Sequence, residues 1–89
     1  MPQTEAEIVN KLGLHARAAA KLVRLANRFS SEIRLEKEGL EVNGKSIMGV
    51  LMLAAHQESL ISVSATGPDA HEAVDAIGGL IAEKFEEGE

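Results

Sequence analysis

Alternating apolar and polar residues predict four β-strands in this chain. The stretches that alternate are residues 4–9, 32–37, 40–43 and 60–66. In the first of them, Ala6 and Ile8 are separated by glutamates, so one face is apolar and the other is charged. Between the second and third stretches, Glu38-Gly39 is typical of a hairpin turn, and Ile33, Leu35, Leu40 and Val42 are expected to share one face.

Three other stretches are predicted to be helices. Apolar residues recur at helical spacing in the first and third, and the second is apolar nearly all round and follows a serine. These stretches are residues 16–29, residues 47–54 and a segment that begins at Asp69. Ser46 is placed to cap the second helix, and Glu72 is placed as the capping-box partner of Asp69 in the third. The third helix is expected to bury Ala73, Val74, Ile77, Ile81 and Phe85. Gly78-Gly79 lowers its helix propensity by about 1 kcal/mol per glycine, which close packing against another helix would explain.

The order of these elements predicts one α+β domain that spans residues 1–89. Each strand has one polar face, so the simplest arrangement is a single antiparallel sheet with helices on one side and solvent on the other. The element order is βαββαβα, and the first crossover is expected to skip a strand position, which gives a split β-α-β unit.

Composition narrows the classes of function. The chain has no cysteine, tryptophan or tyrosine and only two phenylalanines. Thiol chemistry is therefore excluded, and a sheet that stacks nucleic-acid bases is not expected. The sequence has no secretory signal and no apolar run of the ~20 residues that span a bilayer. We expect a cytoplasmic protein without membrane insertion, with no metal or other cofactor, and with a solvated acidic tail from Glu86 onward.

Charge is unevenly distributed along the chain. The net charge is −5, yet all fourteen acidic residues lie outside the segment from Lys11 to Arg28, which carries five basic residues. Four of these fall on one side of the first predicted helix at steps of four, three and four residues. We call this set the basic stripe: Arg17, Lys21, Arg24 and Arg28. Such a local patch suits an acidic protein partner or a phosphate better than a long nucleic acid.

Of the three histidines, His15 has the position best suited to chemistry. It immediately precedes a helix, where the N–H groups of Ala16 and Arg17 form an anion site. A neutral imidazole there is a nucleophile toward phosphorus, and the guanidinium of Arg17 would bind the phosphate oxygens. The alternative is that His15 only caps the helix. His56 and His71 are expected to be solvated surface residues.

Ser46 and the residues after it have two interpretations each. Ser46 is either a simple N-cap or a phosphorylation site. The apolar residues of the short helix that follows cannot all face the core, so some of them either form an exposed docking patch or complete ordinary packing. These residues are Ile47, Met48, Leu51 and Met52.

Two motifs resemble those of a known family. Residues 13–19, GLHARAA, resemble the active-site motif of HPr proteins, the histidine phosphocarriers of the bacterial phosphoenolpyruvate-dependent sugar phosphotransferase system. Residues 43–49, NGKSIMG, resemble the regulatory-serine motif of that family. The likeness runs from about residue 8 to residue 85. It implies an open-faced β-sandwich, a four-stranded antiparallel sheet with three helices on one face.

The resemblance also implies roles for individual residues. His15 would be the phosphorylated histidine, Arg17 the active-site arginine, and Ser46 the target of an ATP-dependent kinase. The protein would then be a carrier with a transient phosphohistidine and not an enzyme. At one position the sequence departs from the family, because Ala18 stands where a proline is usual.

Partners follow from the same resemblance. Enzyme I would be the phosphoryl donor and enzyme II A components the acceptors, with a serine kinase/phosphorylase and a transcriptional regulator as further partners and the protein itself a monomer. The residues expected to contact partners are Arg17, Lys21, Arg24, Ile47, Met48 and Leu51. Two alternatives stay open. One is a regulatory paralogue, a nitrogen-type phosphorelay protein or transcriptional co-regulator, with little sugar flux. The other is a small acylphosphatase-like hydrolase, although its glycine-rich phosphate cradle is missing.

Overall fold

The computed structural model describes residues 1–86, and in that range all seven predicted elements are found. They are β1 (Gln3–Glu7), α1 (Ala16–Ala26), β2 (Glu32–Lys37), β3 (Leu40–Asn43), α2 (Ile47–Met52), β4 (Leu60–Thr66) and α3 (Ala70–Ala82). A 3-10 turn, Lys84–Glu86, follows α3. The ends of β1, α1 and α2 come earlier than predicted. Apart from Glu86, the predicted acidic tail lies outside the described residues.

The strands form one antiparallel sheet in the order β1-β4-β2-β3. Strand β4 lies between β1 and β2, so the predicted crossover that skips a strand position is confirmed. The β2–β3 hairpin turns at Glu38 and Gly39, whose φ angles are 52° and 87°. Positive φ at both central residues is the signature of the type I′ turn, whose twist matches that of the strands.

Helices cover one face of this sheet, and the core lies between the two layers. Alternate residues of the central strands, such as Leu35 and Val63, are fully buried against apolar residues of the helices, such as Leu22 and Ile77. The predicted open-faced sandwich is therefore confirmed. Leu40, expected to share a face with Leu35 and Val42, is exposed, because it pairs with Lys37 at the tip of the hairpin.

The start of α3 differs from the prediction. Asp69 is the N-cap residue, but its side chain makes no capping hydrogen bond, so the predicted capping box is wrong. Its carboxylate instead accepts hydrogen bonds from the N–H of Ser30 (2.9 Å) and from the N–H (2.9 Å) and hydroxyl (2.6 Å) of Ser31. These bonds join the loop after α1 to the start of α3. They hold the pKa of Asp69 below its usual value, mainly through the Ser31 hydroxyl and then the Ser30 N–H.

The end of α3 also differs. The helix ends at Ala82, and Phe85 is buried from the following 3-10 turn, where its φ is 54°. The two glycines within α3 are not explained by close helix packing. Among residues 1–86, a Cβ on Gly78 would meet only Thr4, at an ordinary 3.7 Å, and a Cβ on Gly79 would meet nothing within 4 Å.

Candidate functional site

His15 lies at the boundary between a loop and a helix. It is the N-cap residue of α1, with extended backbone angles of φ −82° and ψ −179°, and it is half-buried. Its carbonyl oxygen accepts the first helical hydrogen bond, from the N–H of Ala19 at 2.8 Å. Its imidazole makes no capping hydrogen bond to the helix. The backbone of His15 therefore caps α1.

The loop before His15 is fixed to the core. The buried side chain of Asn10 donates a hydrogen bond to the carbonyl of Gly13 at 2.8 Å, and the N–H of Leu14 donates to the carbonyl of Ala55 at 2.8 Å. Gly13 has a φ of 69°, and a Cβ there would lie 2.7 Å from the Ala55 oxygen. Only glycine satisfies both the backbone angle and the contact. This anchoring sets where His15 enters the helix.

The first turn of α1 is suited to an anion. Ala16 and Arg17 are both exposed beside His15, and their N–H groups have no partner within the helix because they belong to its first turn. Within the described chain, that turn contains no acidic side chain. A phosphoryl group on His15 would adjoin backbone donors and the exposed Arg17, in a turn that carries no carboxylate of its own.

The basic stripe is not uniform. Arg17, Arg24 and Arg28 are exposed along α1, as predicted. Lys21 is half-buried, and its ammonium donates a hydrogen bond to the carbonyl of Phe85 at 2.8 Å. Lys21 thus ties α1 to the 3-10 turn after α3, a tertiary role that the sequence pattern did not reveal.

Ser46 caps α2, as the sequence predicted. Its hydroxyl oxygen accepts a hydrogen bond from the N–H of Gly49 at 3.1 Å. The preceding turn is ordered by Asn43, whose side-chain oxygen accepts from the N–H of Lys45 at 2.9 Å. Ser46 is half-buried in this arrangement.

Ser46 and His15 lie at opposite ends of α1. The ammonium of Lys45, next to Ser46, donates to the carbonyl of Phe29 at 2.6 Å, just beyond the C-terminal end of α1. The other end of α1 adjoins the segment after α2 through the bond from Leu14 to Ala55. Since α1 has 11 residues, at 1.5 Å per residue the two sites are separated by about 16 Å along its axis. A phosphate on Ser46 could not contact His15 directly.

An apolar surface is exposed on α2. Ile47 is 45 %, Met48 70 % and Met52 63 % exposed. Leu51, which is also predicted to contact partners, is half-buried and packs against the core. Leu12, in the loop before His15, is 65 % exposed, and sequence reasoning missed it. The sequence feature that indicates this exposure is the position of Leu12 in a turn-like stretch, outside any strand or helix pattern.

The other two histidines are exposed, as predicted. The Nδ1 atom of His56 lies 2.8 Å from the carbonyl of Gln57 and 3.2 Å from the hydroxyl of Ser59. Across residues 1–86, His, Cys, Asp and Glu form no cluster that could hold a metal ion. No helix in this part of the chain is long and apolar enough to cross a membrane.

Comparison with known proteins identifies the family. The family model described as "PTS HPr component phosphorylation site" matches residues 2–83. The chain belongs to the HPr family. It is 52 % identical to the phosphocarrier protein HPr of Cupriavidus necator over 89 residues, which cover the whole of both chains. It also resembles the crystal structure of HPr from Thermoanaerobacter tengcongensis, with a TM-score of 0.94, 47 % identity and 98 % of each chain covered.

Family membership gives the general role. HPr proteins are phosphocarriers of the phosphotransferase system, which serves sugar transport through phosphohistidine, and they are not catalytic enzymes. A further relative in structure is Crh, the catabolite repression protein of Bacillus subtilis, with a TM-score of 0.76, 42 % identity, and 94 % of this chain and 97 % of that chain covered. Its crystal structure is a dimer with a swapped domain. The monomeric state expected for the present HPr-family chain therefore stays a prediction.

Proposed function

We propose that His15 accepts a phosphoryl group from Enzyme I and passes it to an enzyme II A component during sugar uptake. The observation that carries this proposal is the position of His15 as the backbone cap of α1, beside the exposed first turn. The cytoplasmic location expected from the sequence belongs to the same proposal.

In the proposed transfer, the unprotonated ring nitrogen of His15 attacks phosphorus while the bond between phosphorus and the donor breaks. The new phosphoryl oxygens lie near the N–H groups of Ala16 and Arg17, and the guanidinium of Arg17 neutralises part of their charge. The anchored Gly13 loop holds the imidazole in place before the donor arrives. Preorganisation of this kind avoids the cost of ordering the site during transfer.

Partner binding would use two adjoining surfaces. Arg17 and Arg24 are exposed on α1 and suit an acidic partner, whereas Ile47 and Met48 offer an adaptable apolar contact on α2. Lys21 and Leu51, which the sequence also assigned to partners, are occupied within the fold and would contribute mainly by supporting these surfaces.

Ser46 would regulate this binding. A phosphate there adds about −1.5 to −2 charges near pH 7, next to the exposed Ile47 and Met48. With His15 at the far end of α1, the phosphate would act on the shared docking surface and not on the imidazole itself. A serine kinase/phosphorylase would install and remove it, and a basic transcriptional regulator could read it.

The test of the central step is phosphorylation by phosphoenolpyruvate and Enzyme I, read by intact mass before and after acid treatment. The wild type is expected to gain one acid-labile phosphoryl group. His15→Ala should gain none while keeping its circular dichroism spectrum, and His56→Ala and His71→Ala should behave as wild type. Acid-labile phosphate on His15→Ala would refute the assignment.

A second candidate is a regulatory protein of the same family with little sugar flux. The observations that favour it are the likeness to Crh and the alanine at position 18, where the family usually has proline. Incubation of the phosphorylated protein with purified enzyme II A components separates the two. Rapid loss of the phosphoryl group to a sugar-specific component supports the sugar carrier, and retention supports the regulatory protein.

A further inference from the structure

Strand β1 lies at an edge of the sheet, and in the part of the chain that the structure describes no strand pairs with its outer side. The residues that flank β1, Pro2 and Ile8, form backbone hydrogen bonds with the chain around β4. The Pro2 carbonyl accepts from the N–H of Ala65 at 3.2 Å, and the N–H of Ile8 donates to the carbonyl of Ser59 at 2.9 Å. Because backbone groups alternate along a strand, those of the odd-numbered residues point away from the sheet. The open positions are Gln3, Glu5 and Glu7. An open edge of this kind is a template for another strand.

A groove runs along this edge, between β1 and α3. Its volume is about 460 Å³, and residues 4–7 line one wall. The apolar part of its lining is formed by Ala6, Val9, Val74, Gly78 and Ala82. A strand added beside β1 would point every second side chain into this groove, since side chains alternate between the two faces of a sheet.

Gly78 keeps the groove open. It lies on the side of α3 that faces β1, where a Cβ would meet only Thr4, at 3.7 Å, within the described part of the chain. The backbone of α3 therefore does not need a glycine here, and glycine costs about 1 kcal/mol of helix stability relative to alanine. The absence of a side chain at this position leaves room for one supplied from outside.

Acidic side chains border the groove. Glu5 and Glu7 are exposed on the outer face of β1, and Asp75 is exposed on α3. Opposite Glu5 and Glu7 in β4 stand Ser62 and Leu60, so neither carboxylate faces a cation across the strand pair. Among the described residues that line the groove, none is basic.

We propose that the β1 edge and its groove bind an extended segment of a partner protein as a fifth strand. The segment alternates basic and apolar side chains. Its basic residues pair with Glu5 and Glu7 on the outer face, and its apolar residues fill the groove beside Gly78. Cross-strand pairs of opposite charge stabilise adjacent strands. This surface is separate from His15 and does not depend on phosphotransfer.

The same charges argue against a second copy of this chain as the occupant. Two β1 edges paired about a two-fold axis would bring Glu5 and Glu7 of one copy beside those of the other, and like charges on adjacent strands are destabilising. A basic segment removes that repulsion.

The proposal is tested with a synthetic peptide of about eight residues that alternates lysine and valine, titrated into the full-length protein and followed by amide NMR shifts and hydrogen exchange. The amides of Gln3, Glu5 and Glu7 are expected to shift and to gain protection. Gly78→Leu should remove binding because it fills the groove, whereas the matched control Gly79→Leu, at a position with open space, should retain it.

A variant with reversed charges tests the proposed ion pairs independently of the groove. Glu5→Lys/Glu7→Lys should weaken binding of the lysine–valine peptide about tenfold and create binding of a glutamate–valine peptide. The proposal is overturned by shifts centred on another surface, by equal binding to Gly78→Leu and Gly79→Leu, or by sedimentation that shows a dimer through β1.

Discussion

Gly13 and Gly39 share a positive φ but differ in their surroundings. A Cβ on Gly13 would lie 2.7 Å from the Ala55 carbonyl oxygen, whereas one on Gly39 would meet no atom of the described residues within 4 Å. Gly39→Ala should therefore cost only the backbone penalty of about 1–2 kcal/mol. Gly13→Ala should lower the free energy of unfolding by more than Gly39→Ala does, because the loop before His15 must also move. Urea unfolding of both variants measures the difference, and equal losses would contradict the anchoring role of Gly13.

Asp69 gives a pH-dependent prediction. Its pKa is lowered from the usual 3.8 by the Ser31 hydroxyl and the Ser30 N–H. A lowered pKa means that the ionised form is the one stabilised by folding. The contribution is therefore complete well above pH 3.8 and is lost as the pH falls below that value through the folded-state pKa.

Asp69→Asn should accordingly lower the melting temperature at neutral pH, and the gap to wild type should narrow as the pH falls below 3.8. Asp75→Asn, an exposed change on the same helix, is the control and should leave the melting temperature almost unchanged. A gap that stays constant down to pH 2 would show that the carboxylate charge is not what stabilises the loop.

Local patterns predicted some residue roles and not others. The cap at Ser46 was predictable because its partner, Gly49, is three residues away. The bonds of Asp69 reach Ser31, 38 residues away, and that of Lys21 reaches Phe85, 64 residues away. No pattern in a short stretch of sequence contains such contacts. Asp69 was therefore predicted to form a capping box, and Lys21 to be part of an exposed basic stripe.

At the scale of elements, α3 contains a glycine that the fold does not require. Gly79 is exposed within the helix, and a Cβ there would meet no other described residue within 4 Å. Gly79→Ala should raise the free energy of unfolding by about 0.5–1 kcal/mol, which corresponds to a rise of about 4 °C in melting temperature. Calorimetry measures this directly. A decrease would mean that the glycine serves a backbone need that is not visible in the helix.

Helix α2 depends on its cap because it has only six residues. Ser46→Ala removes the oxygen that accepts from Gly49 and should lower the free energy of unfolding by about 1 kcal/mol. Ser46→Asp retains an acceptor and should melt close to wild type, yet accept phosphate from Enzyme I more slowly. Thermal melting and transfer rates on all three proteins separate the cap from the regulatory role. If Ser46→Asp transfers as fast as wild type, Ser46 is only a cap.

The sequence predicted those elements well in which a single periodicity, of strand or of helix, is clear. Alternation fixed the strands, and Glu38-Gly39 predicted the hairpin turn that the structure has. The end of α3 was missed because Phe85 is buried at a spacing that continues the helical pattern. Its burial is achieved instead through a turn with positive φ at three successive residues, Lys84, Phe85 and Glu86.

For the whole molecule, the location of the basic residues on α1 of an otherwise acidic protein predicts the association rate with an acidic partner. Arg24 and Arg28 are exposed on α1 of a protein whose net charge is −5. Exposed charges at the rim of an interface act mainly on the association rate and its salt dependence. Arg24→Glu/Arg28→Glu should slow association with Enzyme I about tenfold or more at low salt, with a smaller effect at high salt.

Arg34 provides the control for this prediction. It lies on β2 in the sheet, with its guanidinium 3.4 Å from the carboxylate of Glu32. Arg34→Glu makes the same change in net charge as Arg24→Glu but on the sheet. Stopped-flow association should distinguish the two single variants. If both slow association equally, net charge and not the basic stripe steers the encounter.

The molecule as a whole was predictable because element order and one-sided strands leave few arrangements. The sequence did not predict which apolar side chains near the contacts between elements are exposed and which are buried. Leu12 is exposed in the loop before His15, which the pattern did not predict. Leu51 is packed against the core, which is one of the two interpretations that the pattern left open. Exposure at such positions depends on how helices sit on the sheet, which no single segment encodes.

The central claim is that the phosphoryl group is carried on the imidazole of His15 at the start of α1. Phosphorus and nitrogen NMR on the Enzyme I-phosphorylated, isotope-labelled protein tests it most directly. We predict one phosphoramidate signal coupled to a ring nitrogen of His15, with the largest amide shifts at Ala16 and Arg17. Coupling to a ring nitrogen of His56 or His71, with unchanged amides in the first turn of α1, would contradict the account.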